Sequence, residues 1–378
     1  MRVAGPWVAD ADAQRVCAAL AAGGYRALFV GGCVRNALLG VPVSDYDIAT
    51  DATPETVTNL AESAGLKVVP TGFDHGTVTV VSGGKPHEVT TFRRDVETDG
   101  RRAVVAFSSD VAEDAARRDF TMNALYATAD GEVIDPLGGL PDLQARRVRF
   151  VGDAASRIAE DYLRILRFFR FYAWYGDVAE GLDAEGLAAC ALHLDGLAGL
   201  SRERVGAEVS KLLGAANPAP AVASMARAGV LGAVVPGADD RALAVLVHIE
   251  AGRQPNWLAR LAALGGDSSD LRLSRNEARD LAALREAAGS TDGAAALGYL
   301  LGAGLGADAL AVRAAVFEQN LPPDWEAEVA RGAAAVMPVT AADLMPALQG
   351  PALGARLKEI EKRWLAADLR MDRGALLG

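Results

Sequence analysis

The chain has 378 residues, 51% of them apolar and 23% charged, with a net charge of −11, which excludes a disordered or fibrous protein and, at this length, a single small core. Three cysteines, Cys17, Cys33 and Cys190, are too few and too scattered for a disulfide framework or a zinc site, and point to reduced thiols in a cytoplasmic protein. No charge-free apolar stretch reaches about eighteen residues, and no basic segment precedes an apolar run near Met1, so neither a membrane span nor a signal peptide is expected.

Residues 1–145 read as mixed α/β. Residues 14–22 carry a helical pattern, and residues 26–30 form a short apolar run closed by Gly31-Gly32. Residues 46–49 make another short strand. Thr53-Pro54 starts a helix, with Thr at the cap and Pro in the first turn, where its missing N–H costs nothing. Residues 66–69, 77–82 and 87–92 alternate or run β-branched, as strands do. Short strands separated by helices imply one mixed sheet with helices packed on it. From about residue 153 the pattern turns helical, with Ile158, Leu163, Ile165, Leu166, Phe168 and Phe169 at helical spacing. Pro218, Pro220, Pro236-Gly237, Gly265-Gly266 and Pro322-Pro323 break the later helices. The expected organisation is an α/β head over residues 1–145, a helical neck over 146–215 and a helical body and tail over 216–378.

Val30-Gly31-Gly32-Cys33-Val34-Arg35 sets a strand end, two glycines and a helix start in succession. Such a turn lets the backbone approach a phosphate closely and aims free N–H groups at it, although alone it is equally a plain tight turn. Asp45 and Asp47 follow. In a strand, residues i and i+2 project from one face, roughly 7 Å apart. Two carboxylates so placed repel when bare. Two Mg²⁺ ions match them, one activating an attacking oxygen and one bridging a triphosphate. An isolated Asp-x-Asp is more often a solvated turn; its coupling to the Gly-Gly turn favours the metal reading. Glu88, within His87-Glu88-Val89-Thr90-Thr91-Phe92, is the candidate third acid, and an outward strand residue is the alternative.

Asp161 and Arg164 lie at i and i+3, which on a helix makes them neighbours. An acceptor beside a forked donor can match the Watson–Crick edge of cytosine and, after a small shift, that of adenine. An intrahelical salt bridge is the plainer reading. Arg167 and Arg170 continue at every third residue and could line a phosphate path, whereas Phe168, Phe169 and Phe171 read as core.

The block from Gly31 to Thr50, including Ser44-Asp45-Tyr46-Asp47, resembles the head of class II tRNA nucleotidyltransferases and bacterial poly(A) polymerases, within the polymerase-β-like superfamily. Four further blocks follow in that family's order: Arg117-Arg118-Asp119-Phe120-Thr121-Met122-Asn123-Ala124, Asp135-Pro136-Leu137-Gly138-Gly139, Glu160-Asp161-Tyr162-Leu163-Arg164, and Ser201-Arg202-Glu203-Arg204 with Glu208. The resemblance covers roughly residues 25–213. It implies a polymerase-β-like head, nucleotide contacts from Gly31, Gly32 and Arg35, Arg118 as a phosphate ligand, Asp119 near a ribose hydroxyl, and a protein template built on Asp161 and Arg164. It also implies that residues 93–103 act as a loop used in switching from C to A addition. One departure stands out: Asn36 replaces the family's Asp after Arg35, so any ion pair there becomes a neutral hydrogen bond.

The implied activity is addition of CCA to the 3′ end of tRNA from CTP and ATP, with two Mg²⁺ ions and release of pyrophosphate. Residues 70–78 resemble the tRNA branch more than the poly(A) branch. A poly(A) polymerase, a CC-only or A-only enzyme and a catalytically dead RNA-binding relative are the alternatives. No obligate protein partner is implied. None of the four histidines, His75, His87, His193 and His248, precedes an Asp, so no His-Asp phosphohydrolase activity is expected. The acidic balance argues mildly against RNA, but the arginines gathered between residues 93 and 170 leave a locally positive surface open to folding.

Overall fold

Leu28, Phe29 and Val30 are all buried, and the apolar run they form becomes β1 (Leu28–Val30) in the interior of a seven-stranded sheet. The structure, a computed structural model, describes residues 1–99 and 102–378, without the side chains of residue 74 and residues 95–105. The chain forms two compact units, Met1–Leu200 and Ser201–Gly378.

The first unit contains the sheet, in the order β3-β4-β5-β2-β1-β8-β9. Its strands are β1, β2 (Asp47–Thr50), β3 (Lys67–Gly72), β4 (Thr77–Ser82), β5 (Lys85–Thr91), β8 (Tyr126–Thr128) and β9 (Val133–Ile134). β1 runs antiparallel to both β2 and β8, while β2 runs parallel to β5, with Ile48 opposite Val89. The β6 (Arg93–Asp99) and β7 (Arg102–Phe107) pair is a separate antiparallel ribbon. Residues 93–103, expected as the switching loop, therefore begin in β6, and the remainder of that expectation rests on side chains outside the described residues.

Helices α1 (Ala11–Ala22), α2 (Gly32–Leu39), α3 (Pro54–Ser63), α4 (Val111–Ala116) and α5 (Leu140–Gln144) accompany the strands. Thr53 caps α3 through its side chain on the Thr56 N–H, with Pro54 at the first helical position, as their chemistry dictates. Helices α6 (Ala154–Glu160), α7 (Leu163–Tyr175) and α8 (Ala184–Leu192) belong to the same compact unit. What holds α7 there is aromatic packing: Phe150, Phe168 and Phe171 surround Phe120 with ring centroids 5.0, 6.4 and 4.9 Å away. The helical region after residue 145, expected as a separate neck, thus packs on the head as far as Leu200.

The second unit is helical: α9 (Arg202–Leu213), α10 (Ala219–Arg227), α11 (Val230–Val234), α12 (Arg241–Ile249), α13 (Trp257–Leu264), α14 (Arg275–Gly289), α15 (Ala294–Val316), α16 (Trp325–Ala333), α17 (Ala341–Leu344), α18 (Gly350–Ala366) and α19 (Arg373–Leu377). By length and composition α15 is apolar enough to cross a membrane, although Asp308 and Arg313 interrupt it, so it is not a charge-free stretch of the kind excluded by the sequence. Most of that stretch is buried in the unit, Gly302 departs from helical geometry at φ 80°, and Asp308 and Arg313 bond to neighbouring segments. These are features of a kinked core helix.

Candidate active site

The Gly31-Gly32 turn is built as its chemistry requires. Gly31 has φ 73° and ψ −116°, a conformation L side chains avoid, and α2 begins at the next residue. Its N–H donates to the Leu125 carbonyl at 3.0 Å, fixing the turn against the end of β8. A Cβ at Gly31 would lie 3.4 Å from Nη1 of Arg118, so that guanidinium sits against the turn.

Register then assembles the acids. Ile48 and Val89 are paired and fully buried, so the residues preceding them, Asp47 and Glu88, lie side by side on the opposite, exposed face of two parallel strands. Asp45, Asp47 and Glu88 line one cleft of about 470 Å³, with Ser44, Tyr46 and Lys85. Asp45 is not on the strand, contrary to the i, i+2 expectation. The β1 partner of Asp47 is Val30, the last residue before the chain turns into α2, so β1 offers no partner to Tyr46 or Asp45. Asp45 instead accepts a hydrogen bond from the Ser44 hydroxyl at 3.0 Å.

The three carboxylates repel one another. Asp47 is held above the usual carboxylate range, first by partial desolvation and then by Glu88, with Asp45 adding to the effect and Arg118 opposing it. Among the described residues no group of three or more His, Cys, Asp or Glu side chains is close enough to hold one ion. The donor set nevertheless suits hard divalent cations: Mg²⁺ is commonly held by one or two carboxylates, with waters and substrate phosphates completing its shell. Negative charge in the cleft that Arg118 offsets only in part is the observation that fits such ions to Asp45 and Asp47.

Arg118 and Arg117 are organised by a residue that sequence reasoning passed over. Asp114 is 1% exposed and accepts from Arg117 Nε at 2.9 Å, Arg118 Nη2 at 3.0 Å and the Tyr126 hydroxyl at 2.7 Å. Burial alone would raise its pKa most strongly, but Arg118, Arg117 and Tyr126 together hold it below the usual range. Its i+3 and i+4 spacing to the two arginines was the available signal.

A second cluster surrounds Phe171. The guanidiniums of Arg35, Arg167 and Arg170 stand 5.3, 5.3 and 4.6 Å from its ring centroid. Arg35, 6% exposed, donates to Asn123, to Asn36 Oδ1 at 2.9 Å and to the Tyr175 hydroxyl at 2.8 Å. Asn36 therefore serves as a neutral acceptor and passes its own amide on to the Pro42 carbonyl at 3.0 Å. Asp119 receives Arg167 through Nε at 2.8 Å and also through Nη2. Its other oxygen takes the Phe120 N–H at 2.9 Å and Asn123 Nδ2 at 3.0 Å. The carboxylate is thus occupied by protein donors, and a ribose hydroxyl would have to share it with Arg167.

Asp161 and Arg164 are placed differently from expectation. α6 ends at Glu160, Asp161 is its extended C-cap at φ −156°, and α7 starts at Leu163, so the two residues do not share a helix face. The break has a local cause: the Asp161 carboxylate accepts the Leu163 N–H at 3.1 Å, a turn that competes with continued helix. Arg164 turns toward Glu160 and the carbonyls of Arg157 at 2.8 Å and Arg117 at 3.2 Å. Phe168, Phe169 and Phe171 are buried.

Residues 27–149 match the poly A polymerase head domain family. Over 184 residues the chain is 46% identical to human mitochondrial CCA tRNA nucleotidyltransferase 1, covering 48% of this chain and 42% of that protein. It is 45% identical over 192 residues to the CCA-adding enzyme of Bacillus pumilus, covering 50% of this chain and 46% of that one. The matches thus span less than half the length of these curated relatives. The solved CCA-adding enzyme of Bacillus stearothermophilus in complex with CTP superposes with a TM-score of 0.69 at 28% identity, over 94% of this chain and 93% of that one. The Thermotoga maritima CCA-adding enzyme complexed with tRNA shares the fold, with a TM-score of 0.70 at 19% identity over 99% and 95% of the two chains. With its glycine turn, acidic cleft and arginine-bearing segments, the first unit carries over residues 27–149 a head domain that matches the poly A polymerase type, on a fold shared with solved CCA-adding enzymes.

Proposed function

We propose that this protein adds CCA to the 3′ end of tRNA, using CTP and ATP and releasing pyrophosphate. The observation that carries the reading is the convergence of Asp45, Asp47 and Glu88 in one cleft of a head 46% identical over 184 residues to a CCA tRNA nucleotidyltransferase. Two Mg²⁺ ions held by Asp45 and Asp47 would neutralise the triphosphate and favour ionisation of the acceptor hydroxyl. The chain's own groups then position the reactants. The Gly31-Gly32 backbone and Arg118 hold phosphate oxygens, and Glu88 orients the 3′-hydroxyl side. Arg35, Arg167 and Arg170 make the adjoining surface positive, and Asp119 keeps Arg167 in place. Rate enhancement rests on positioning and charge neutralisation rather than on a covalent intermediate.

Base choice is assigned to Asp161 and Arg164, which flank the α6–α7 break rather than one helix face. Arg164 reaches a base by exchanging its carbonyl contacts, a movement of one side chain. The helical segment 146–215 would supply this template, and the region 216–378 would bind the rest of the tRNA. A poly(A) polymerase is the second reading, favoured by the family to which residues 27–149 match. The relatives include a mitochondrial and bacterial enzymes, so a cytoplasmic location for this chain belongs to the proposal.

Extension of a tRNA lacking its last three nucleotides tests both readings, with Mg²⁺ and CTP alone, ATP alone, then both. Two C from CTP, then one A once ATP is present, supports CCA synthesis. A long tail from ATP alone replaces it with poly(A) synthesis, a stop at CC indicates a partial enzyme, and no incorporation refutes a transferase.

A further inference from the structure

The partly and fully buried arginines of the second unit are satisfied to very different degrees. Arg260, 1% exposed, bonds to Glu250 at 2.9 Å and to the carbonyls of Leu213 at 2.6 Å, Ala215 and Ala216 at 3.2 Å. Arg313 bonds to the carbonyls of Ala287 and Asp292, both at 2.6 Å, to that of Ala288 at 3.3 Å and to the Ser290 hydroxyl at 3.0 Å. Like Arg253, whose Nη1 is buried without an acceptor, Arg285 is less completely satisfied. Its Nη2 donates to the Gly265 carbonyl at 3.1 Å, and its Nε is buried with no acceptor. A guanidinium has five N–H donors, and leaving them unmatched away from water is costly. Asp267, the acid whose charge acts on Arg285, is engaged with the Ser269 N–H at 2.9 Å and with the Ser269 hydroxyl.

Arg285 lines a hollow of about 370 Å³ together with Ser268, Ser269, Arg272, Leu273 and Leu281. Among the described residues no carboxylate lines it. Arg272 is held at a left-handed φ of 50°, and its ion partner is Glu203 at 3.4 Å, a pair whose side chains are 68% and 65% exposed. Such a surface pair contributes little and yields readily to a better acceptor. Two guanidiniums and two serines, one of whose hydroxyls is already given to Asp267, make a donor-rich set around a hollow whose described lining has no carboxylate. A phosphate group, with several strong acceptor oxygens, matches that set and the fork geometry of arginine.

We propose that this hollow is a phosphate-binding site and that it takes a backbone phosphodiester of the acceptor RNA, a reading that rests on the tRNA activity proposed above. A free phosphate or nucleotide offers the same chemistry, so the test separates the two. Binding of labelled tRNA is measured without nucleotides, and the Arg285 Nε–H resonance is followed during titration with inorganic phosphate. The wild type is compared with Arg272→Ala, Arg285→Gln and the double variant. Because Arg272 is surface-exposed, R272A keeps the test valid if R285Q fails to fold.

The expected result is about tenfold weaker tRNA binding in the double variant, with the log-log salt slope reduced by about one for each phosphate no longer neutralised. KM for CTP stays unchanged in extension assays. A shift of the Arg285 resonance by inorganic phosphate, with tRNA affinity unaltered in every variant, overturns the RNA assignment in favour of a free ligand. Absence of both effects overturns the site. Neither readout requires catalysis, so a protein that binds tRNA through this hollow but extends nothing would refute the proposed activity while leaving the site standing.

Discussion

Asp114→Asn isolates one charge at a position where nothing else changes shape. Asp114 accepts from two cations and a hydroxyl at 1% exposure, and Arg117 and Arg118 are themselves only 18% and 19% exposed. The amide keeps one acceptor but turns an NH₂ group toward a guanidinium. Breaking a buried pair by removing one partner costs roughly 3–5 kcal/mol. Both arginines retain some water, so the lower end, about 3 kcal/mol, is expected for the first unit. The sign with pH is set by the depressed carboxyl. Its contribution is complete above the unfolded value near 3.8 and is lost as pH falls through the lower folded value. The acid limb of stability should therefore be steeper in the wild type than in D114N. Arg118 would also lose its anchor beside Gly31, raising KM for nucleotides, with kcat/KM lower by about two orders of magnitude if phosphate positioning is a typical preorganised interaction. Urea denaturation at pH 7 and at a series of pH values below the unfolded value near 3.8, with steady-state kinetics at neutral pH, measures both. A variant within about 0.5 kcal/mol of wild type, a change typical of surface positions, with unaltered KM would refute the view that Asp114 organises this side of the site.

Asp47→Ala should lower incorporation by at least about 10³-fold, on the scale of removing a preorganised charge, with the circular dichroism spectrum retained; near-wild-type turnover would remove the metal assignment. Asp47→Asn should raise the melting temperature of the metal-free protein, since it relieves repulsion with Glu88 and Asp45, and a lower melting temperature would contradict the geometry of the cleft. Asp161→Ala should leave single-nucleotide chemistry intact while narrowing the CTP/ATP preference, as read by competition between the two nucleotides; unchanged selectivity would remove the template role. The three thiols are buried, with burial pushing Cys17 and Cys190 up to about 12 and Cys33 up to about 11. A thiol reagent at pH 8 should leave all three unmodified until denaturant is added, and rapid labelling of the native protein would show that a thiol is exposed.

What could be read ahead of the structure was local, and what could not was set by register or by competition between local choices. Thr53-Pro54 starts a helix because a hydroxyl and an imide act on their own neighbours, so three residues suffice to read it. Asp47 beside Glu88 is another matter: it follows from the parallel pairing of Ile48 with Val89, across an intervening helix and two strands. The strand-like run around Glu88 made it a candidate third acid, but its place beside Asp47 is set by the pairing of the two strands. The same limit hid Asp119–Arg167, joined over 48 positions, and Arg35–Tyr175, joined over 140.

The Asp161–Arg164 misplacement has a different origin. Helical periodicity persists through the segment, from Ile158 to Leu163 and Leu166, so the pattern alone reports one continuous helix. The short side chain of Asp161 binds the Leu163 N–H and ends that helix, a choice of about 1 kcal/mol in typical caps that hydrophobic spacing does not register. For the proposed base template the break has a consequence. A pair locked on one helix face would present a single hydrogen-bonding pattern, whereas two residues across a helix break can change their relative setting. The proposed recognition of cytosine and then adenine by one protein surface would draw on that freedom. The loss of helix at Asp161 is thus better suited to a changing template than the uninterrupted helix the periodicity suggests.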